Sequence, residues 1–169
     1  ADVSVREALA RLGIEGPLVS EEAVAPDTSA PETFLLLDPL DGTQDFLEHG
    51  TEFCVCLAAI HQGRALAGAI VAPALQRGWF AGDVSFAVEL DDKLALKAKP
   101  SRIHNTDRAE PLQPSALVSR RNGDARSLAA LRMCGAQSTT MASSAIKFGM
   151  LAEGTADIHI RHGRTMAWD

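Results

Sequence analysis

The stretch 34–43 constrains this chain more than any other. Its apolar run Phe34-Leu35-Leu36-Leu37 predicts a buried strand. Two aspartates follow, Asp38 and Asp41, with Pro39 between them and Gly42-Thr43 directly after. Because proline lacks an N–H and fixes φ, we expect the strand ladder to end there, and the glycine to allow a tight turn. The stretch therefore predicts two carboxylates close together at the end of a buried strand.

Such a pair of carboxylates calls for an explanation, because like charges at a buried position repel each other. A bound cation relieves the repulsion, and Mg²⁺ prefers hard oxygen ligands of this kind. The alternative is an ordinary turn, since Asp, Pro and Gly all favour turns. A second acidic pair, Glu21-Glu22, is on its own typical of a solvated surface. The motifs taken one at a time leave both interpretations open.

Size and charge narrow the classes of protein that fit. The 169 residues are enough for one ordinary domain, and the net charge of −6 argues against nucleic-acid binding as the main task. An acidic protein that handles an anionic substrate needs local cations, either metals or placed Arg and Lys side chains. No apolar stretch approaches the ~20 residues that span a bilayer, so we predict no integral membrane segment.

The three cysteines show no metal-type spacing. Cys54 and Cys56 alternate within a strand pattern, so they would share a face and pack as small apolar residues. Cys134 is isolated. Reduced thiols fit a cytoplasmic protein. We expect a cytoplasmic location, with the inner face of the membrane as a further option.

The first hundred residues read as an α+β unit that carries the acidic motifs. Asp2 is expected to cap a helix over 3–12 that stops at Gly13. A hairpin over 53–61 and 64–72 turns at Gln62-Gly63. Further predicted segments are an extended piece at 17–20, an exposed loop over 23–32, and strands at 78–81 and 86–90 that extend an antiparallel sheet.

The remainder, 101–169, reads as a second, incomplete α/β unit after a polar connection over 91–114. Its predicted elements are a strand at 116–119, helices at 124–133 and 143–153, and a strand at 156–160. The chain stops on Trp168-Asp169 without a closing element. We therefore expect sequence to be missing downstream, and also before Ala1.

Taken together, the acidic motifs resemble the inositol monophosphatase superfamily of Mg²⁺-dependent, lithium-sensitive phosphatases. The resemblance rests on Glu21-Glu22, on Asp38-Pro39-Leu40-Asp41-Gly42-Thr43 with Phe46, and on Trp168-Asp169. A less specific similarity, distributed along the chain, favours the branch of bacterial 3′(2′),5′-bisphosphate nucleotidases. It is spread over Ser20, Glu52-Phe53, 68–73, Ser119-Arg120, Ser143-Ser144, Lys147-Phe148, 152–154 and 161–169. The implied fold is α/β, an α+β layered sandwich shared with sugar phosphatases, here incomplete at both ends.

The resemblance also implies roles for individual residues. The implied metal ligands, for two or three Mg²⁺, are Glu21, Asp38, the backbone carbonyl of Leu40, Asp41 and Asp169, with Asp38 bridging two ions. Thr43 would orient the attacking water, and Asp2 and Glu21 would assist catalysis. The backbone N–H groups of Gly42 and Thr43 would face the phosphate. Asp169 would also contact substrate.

Substrate binding is predicted at a helix start. Ser143 and Ser144 offer hydroxyls and free N–H groups at a positive helix end, although ordinary N-capping explains them equally well. Lys147, one turn on, would reach a second phosphate, and Arg161 would pair with one bidentately; solvated side chains are the alternative. Arg120 and Arg121 follow a strand and belong either to the cleft or to a solvated loop.

The expected reaction is direct attack by metal-activated water on a phosphate monoester, without a covalent intermediate. The favoured substrate is 3′-phosphoadenosine 5′-phosphate, giving AMP, or its sulfated relative. One alternative is an inositol-1-phosphate phosphatase. Another is an inactive fragment or a ligand-sensing relative. The expected partner is thus a small phosphorylated nucleotide or sugar alcohol, with no nucleic acid, and the oligomeric state is left open.

Overall fold

The computed structural model describes residues 1–23, 31–104, 113–121, 123–163 and 165–168. Asp169, expected to bind metal and substrate, lies outside the described residues. So do most of the predicted loop 23–32 and part of the connection 91–114.

A larger sheet of seven strands follows the chain order. Its first two strands are parallel, and every later neighbour pair is antiparallel. The strands are β1 (Leu18–Ser20), β2 (Thr33–Asp41), β3 (Cys54–His61), β4 (Arg64–Ala72), β5 (Arg77–Ala81), β6 (Ser85–Glu89) and β7 (Ser101–Ile103). The predicted hairpin is therefore confirmed, as is its extension by two further antiparallel strands.

A smaller sheet of three parallel strands has the order β10-β8-β9. These strands are β8 (Ser115–Ser119), β9 (Ser138–Ala142) and β10 (Ile158–His159). The helices are α1 (Asp2–Arg11), α2 (Thr43–Leu47), α3 (Ala125–Met133) and α4 (Ile146–Ala152). None of these described helices has the length and apolar character needed to cross a bilayer.

Helix α4 lies between the two sheets. On one side Ala145 and Ile146 pack with Trp79 and Cys54 of the larger sheet. On the other side Met150 and Leu151 pack against a cluster from the smaller sheet. Behind that sheet, Leu131 of α3 packs against Ala116 and Val118 of β8. The layered α/β fold expected from the sequence is thus confirmed.

The contact between α4 and the larger sheet is close because of Gly149. A Cβ at this position would overlap the indole of Trp79. At the end of the helix, Glu153 accepts hydrogen bonds from the Trp79 indole and from the Arg77 guanidinium. These contacts hold α4 in position against the larger sheet. They therefore also position the segment that precedes the helix.

Three local predictions were wrong. Asp2 does not cap α1; Ala1 is the N-cap and makes no side-chain bond, and the helix already includes Asp2. Strand β2 does not end at Pro39 but continues to Asp41. Helix α4 begins at Ile146, three residues after the predicted start at Ser143.

Candidate metal and phosphate site

The carboxylates come together through strand pairing. In the parallel pair β1–β2, Ser20 lies opposite Leu37, so Glu21, the first residue after β1, comes next to Asp38, which is still part of β2. In the antiparallel pair β2–β3, Asp38 lies opposite Cys56 and Asp41 opposite Cys54. The three-residue step from Asp38 to Asp41 on β2 thus lies opposite the two-residue step from Cys56 to Cys54 on β3. This mismatch is a β-bulge.

This bulge explains why the strand continues past Pro39. A bulge absorbs one extra residue and re-aims the side chains around it, and it is a position where a sheet tolerates proline. The ladder is interrupted between Asp38 and Asp41 and then resumes. The proline therefore displaces the pairing by one residue without ending the strand, and both aspartates lie within the last four residues of β2.

Asp38 is the most buried of these carboxylates, with 3% of its surface exposed. The amide of Leu40 donates to Asp38 Oδ1 at 3.0 Å. Burial, followed by the neighbouring carboxylates of Asp41 and Glu21, raises the pKa of Asp38 to about 7. Converging carboxylates that resist ionisation together are a donor set suited to Mg²⁺, whose positive charge stabilises the ionised forms.

The turn after β2 has a defined shape. Gly42 has φ 89° in the left-handed region, and a Cβ there would lie 2.7 Å from the carbonyl oxygen of Glu52. The Thr43 hydroxyl donates to the Leu40 carbonyl at 2.9 Å. Phe46 of α2 stacks edge-on against Phe53, with ring centroids 5.0 Å apart. The glycine is therefore required by both conformation and space.

A polar cavity of about 210 Å³ opens beside this turn. It brings residues from both predicted units together. Its lining consists of Asp41, Gly42, Thr43, Gln44, Asp45, Ser119, Arg121, Ser143 and Ser144. The two motifs singled out in the sequence, the aspartate turn and the serine pair, thus face the same space.

Three amide groups at the start of α4, those of Ser143, Ala145 and Ile146, are already hydrogen-bonded, which corrects the prediction of free N–H groups there. The Ala145 amide donates to Asp41, and the Ser143 amide donates to Glu52 Oε2 at 2.5 Å. The Ile146 amide bonds with the Ser144 hydroxyl at 3.4 Å. The Ser143 hydroxyl, in contrast, is buried and has no hydrogen-bond partner among the described residues. An orphaned hydroxyl in a polar cavity is a group that a ligand would satisfy.

Lys147 and Arg161, the side chains predicted to bind phosphate, are not placed as expected. Lys147 is buried and its ammonium donates to the Ser144 carbonyl; it does not line the cavity. Burial lowers the pKa of Lys147, and the nearby Arg161 lowers it further. Arg161 itself is exposed. The cationic side chain that does line the cavity is Arg121.

Arginines 120 and 121 join the smaller sheet to the region around the aspartate turn. Arg120 pairs with Glu52 at 2.6 Å. Arg121 pairs with Glu48 at 2.5 Å and approaches Asp45 at 3.6 Å. Of the two interpretations offered for these arginines, the cleft therefore applies to Arg121.

Asp2 lies close to the strand that leads to the carboxylates. It accepts hydrogen bonds from Arg6 and from the buried hydroxyl of Ser20, the residue before Glu21. The Arg6 guanidinium, and then Ser20, lower the pKa of Asp2. The carboxylate is thus ionised and holds α1 against β1. Its assistance to catalysis stays a prediction.

Glu52 belongs to this site and was not predicted to do so. Its carboxylate holds both the Ser143 amide and Arg120, contacts 91 and 68 residues away along the chain. No local pattern signals such long-range bonds. The cysteines Cys54 and Cys56 were expected to share a face, and they do, with Sγ atoms 3.7 Å apart. Their proximity to Asp41 was not foreseen.

Comparison with known proteins identifies the family of this fold. The family model of the inositol monophosphatase family matches residues 2–169. The chain belongs to this family, whose members are metal-dependent phosphatases. The superfamily resemblance drawn from the acidic motifs is thereby confirmed.

Similar characterised proteins show which branch of the family this chain resembles. A 3′(2′),5′-bisphosphate nucleotidase CysQ of Salmonella typhimurium is 30% identical over 100% of this chain and 66% of its own length. The nucleotidase CysQ of Escherichia coli K12 is 30% identical over 82% of this chain and 52% of its own length. The similarity to the bacterial nucleotidase branch is confirmed. The chain spans between about half and about two thirds of these relatives.

Solved structures agree on the fold. CysQ from Bacteroides thetaiotaomicron, a bacterial member of the inositol monophosphatase family, has a TM-score of 0.77 and 25% identity over 97% of this chain and 66% of its own. An IMPase/NADP phosphatase complexed with Mg²⁺ and phosphate has a TM-score of 0.71 and 14% identity, covering 94% of this chain and 57% of its own. The second likeness supports the fold alone.

Proposed function

We propose that this chain carries the reaction site of a 3′(2′),5′-bisphosphate nucleotidase, which removes the 3′-phosphate of 3′-phosphoadenosine 5′-phosphate, or of its sulfated form. The observation that carries the proposal is the convergence of Glu21, Asp38 and Asp41, where burial and mutual repulsion raise the pKa of Asp38 to about 7. Similarity to the CysQ nucleotidases supports the choice of substrate.

In this proposal the metal ligands are Glu21, Asp38, Asp41, the Leu40 carbonyl and, outside the described residues, Asp169. When bound, two or three Mg²⁺ supply charge neutralisation and a water of lowered pKa. The Leu40 carbonyl accepts from Thr43 and keeps a second lone pair for a metal. The Thr43 hydroxyl, fixed by that bond, is placed to orient a water molecule. Asp41, held by the Ala145 amide, keeps its geometry without reorganising.

The cavity residues are proposed to bind the substrate phosphate. Gly42 and Thr43 supply backbone N–H groups at the turn, and the orphaned Ser143 hydroxyl gains a partner. Arg121 supplies a cation at the cavity wall in place of Lys147. Since Arg121 already pairs with Glu48 and Asp45, binding a phosphate means exchanging one of these partners. Contacts of Ser144, Lys147, Arg161 and Asp169 with substrate stay predictions.

The test measures phosphate release by the full chain from 3′-phosphoadenosine 5′-phosphate and from inositol 1-phosphate. Each substrate is assayed with Mg²⁺, with a chelator, and with Mg²⁺ plus Li⁺. We expect Mg²⁺-dependent, Li⁺-inhibited release with a preference for the bisphosphate. A preference for inositol phosphate would refute the nucleotidase assignment in favour of the alternative phosphatase.

The proposal includes a location. Free thiols at all three cysteines fit a reducing compartment. We therefore keep the cytoplasm as the proposed location; the inner membrane face and the division into units 1–100 and 101–169 stay predictions.

A further inference from the structure

Two thiols and a carboxylate meet directly beside the proposed Mg²⁺ site. Cys54 Sγ lies 3.7 Å from Cys56 Sγ and 3.6 Å from Asp41 Oδ2. The donor atoms of these three residues all lie within 4.8 Å of one another. The Ser144 hydroxyl is a fourth polar neighbour, 3.5 Å from Cys54 Sγ.

The fold produces this cluster in a simple way. Cys54 and Cys56 are two residues apart on β3, so both side chains leave the same face of the sheet. The bulge in β2 then places Asp41, rather than its neighbour, opposite Cys54. The cluster therefore depends on the same irregularity that gathers the carboxylates.

The distances match those of a tetrahedral thiolate site. With Zn–S bonds of about 2.3 Å and Zn–O bonds of about 2.0 Å, tetrahedral angles give S···S near 3.8 Å and S···O near 3.5 Å. The two separations made by Cys54, 3.7 Å to the Cys56 sulfur and 3.6 Å to the Asp41 oxygen, agree with these values, and the third pair of donor atoms lies within 4.8 Å. A disulfide is a poorer alternative, because strand positions two apart hold Cα atoms at about 6.6 Å, the long end of disulfide geometry.

Charge and position are also compatible with a cation. Without an ion, the hydrogen bond with Cys54 and burial raise the pKa of the Cys56 thiol, so a bound ion displaces the thiol protons. Two thiolates and one carboxylate then carry three negative charges, which a divalent ion and the ammonium of Lys147 balance. Lys147 lies close enough to interact electrostatically with both Asp41 and Cys54. Asp41 and Ser144, which both contact the Cys54 sulfur, line the polar cavity, so the cluster lies directly beside that space.

We propose that Cys54, Cys56 and Asp41 form a second metal site, which binds a thiophilic divalent ion such as Zn²⁺. An ion held here takes Asp41 away from the proposed Mg²⁺ site. The chain would then be inhibited by traces of Zn²⁺ through its own thiols, in addition to any effect of Zn²⁺ on the carboxylates.

The direct test uses Co²⁺ alone as a probe, because thiolate ligands give it a charge-transfer band that oxygen ligands do not. We expect the full chain to show this band, with saturation at one thiolate-bound ion per chain and displacement by Zn²⁺. Cys54→Ser and Cys56→Ser should each lose most of it. Cys134→Ser is the matched control, since Cys134 is exposed and lies outside the cluster, and it should keep the band.

Folding is checked by circular dichroism. If Cys54→Ser fails to fold, Cys56→Ser still decides the question, because Cys56 is only partly buried. The proposal is overturned if the wild-type chain shows no band, or if the band survives in Cys56→Ser or disappears in Cys134→Ser.

A second measurement rests on the proposed function, whereas the Co²⁺ band does not. Low Zn²⁺ should inhibit Mg²⁺-dependent phosphate release by the wild-type chain and by Cys134→Ser, and inhibit Cys56→Ser much less. Equal Zn²⁺ inhibition of all three would overturn the competition for Asp41. A chain that shows the Co²⁺ band but releases no phosphate would refute the function and leave the thiol site standing.

Discussion

The carboxylate of Asp41 accepts a hydrogen bond from the backbone amide of Ala145, a residue 104 positions further along the chain. Asp41 ends a strand of the larger sheet, and Ala145 is the N-cap of α4. One side chain therefore joins the sheet that gathers the acidic residues to the helix that packs between the two sheets. The same carboxylate is a proposed metal ligand and a member of the thiol cluster.

This double use makes Asp41→Asn an informative substitution. The amide oxygen of asparagine can still accept from the Ala145 amide, so we expect the fold to survive. The lost charge removes a metal ligand, and Mg²⁺-dependent phosphate release should fall by more than about a hundredfold, beyond the effect of a residue that only supports a ligand. Asp83→Asn, at an exposed aspartate between β5 and β6 that does not line the cavity, is the control and should keep most of the activity. Near-normal release by Asp41→Asn would remove it from the metal site.

The raised pKa of Asp38 predicts how the metal-free protein responds to pH. Its pKa is about 7 in the folded chain against an ordinary value of 3.8, so between these values the folded state holds a proton that the unfolded state has lost. The free energy of unfolding contributed by this group therefore falls as pH rises from about 4 to about 7. In chelator, Asp38→Asn should be more stable than wild type at pH 8 and lose that advantage near pH 4.

Denaturant unfolding of both proteins at several pH values measures this difference. The comparison isolates Asp38 from the other titrating groups, because only their difference is interpreted. If Asp38→Asn is less stable than wild type at pH 8 without metal, the assigned repulsion is wrong. Added Mg²⁺ should stabilise the wild type and leave Asp38→Asn almost unchanged.

Part of the fold around the site followed from local patterns. The apolar run before Asp38 predicted the strand, and simple alternation placed the paired cysteines of β3 on one face. These two inferences held because each depends on neighbours in sequence or on a repeat of two residues. The grouping of Glu21 with Asp38 and Asp41, in contrast, was implied by the family resemblance.

The remainder depends on distant contacts. Pro39 predicted that strand pairing ends there. The β-bulge instead accommodates the proline, and the bulge is set by the register of β2 against β3. The free amides expected near Ser143 are bound by Glu52 and Asp41, which no local pattern connects to them. Strand β9 was missed because four of its five residues are exposed, so it shows no apolar period.

The hydroxyl of Thr43 is expected to act on water rather than on the fold. Thr43 is exposed, and its hydroxyl bonds only the nearby Leu40 carbonyl among the contacts described above. Thr43→Ser keeps the hydroxyl and should retain activity within about tenfold, whereas Thr43→Val should lose about 10²–10⁴-fold in kcat, the usual range for a lost proton-transfer or orienting group. Unfolding curves for the two variants should agree closely. Equal activity in the two variants would contradict the assigned role.

Gly149 supports the position of α4 through its contact with Trp79. In Gly149→Ala the added methyl overlaps the indole, so the helix must move away from the larger sheet. We expect a loss of about 1–3 kcal/mol in the free energy of unfolding, as for other overpacked cores. Gly82→Ala is the control, since a Cβ there meets nothing within 4 Å, and it should change stability by less than about 0.5 kcal/mol. Equal losses would show that the close approach to Trp79 is unimportant.

Glu21 is proposed to join Asp38 and Asp41 in one metal site, and the neighbouring Glu22 offers a matched control. Both glutamates are exposed residues of the same short turn after β1, but it is Glu21 whose carboxylate raises the pKa of Asp38. The decisive measurement is Mn²⁺ binding, as a spectroscopic substitute for Mg²⁺, to the wild type, Glu21→Gln and Glu22→Gln. We predict that Glu21→Gln weakens binding by at least about tenfold and that Glu22→Gln binds within about twofold of the wild type. Equal affinities for all three proteins would exclude Glu21 from the metal site.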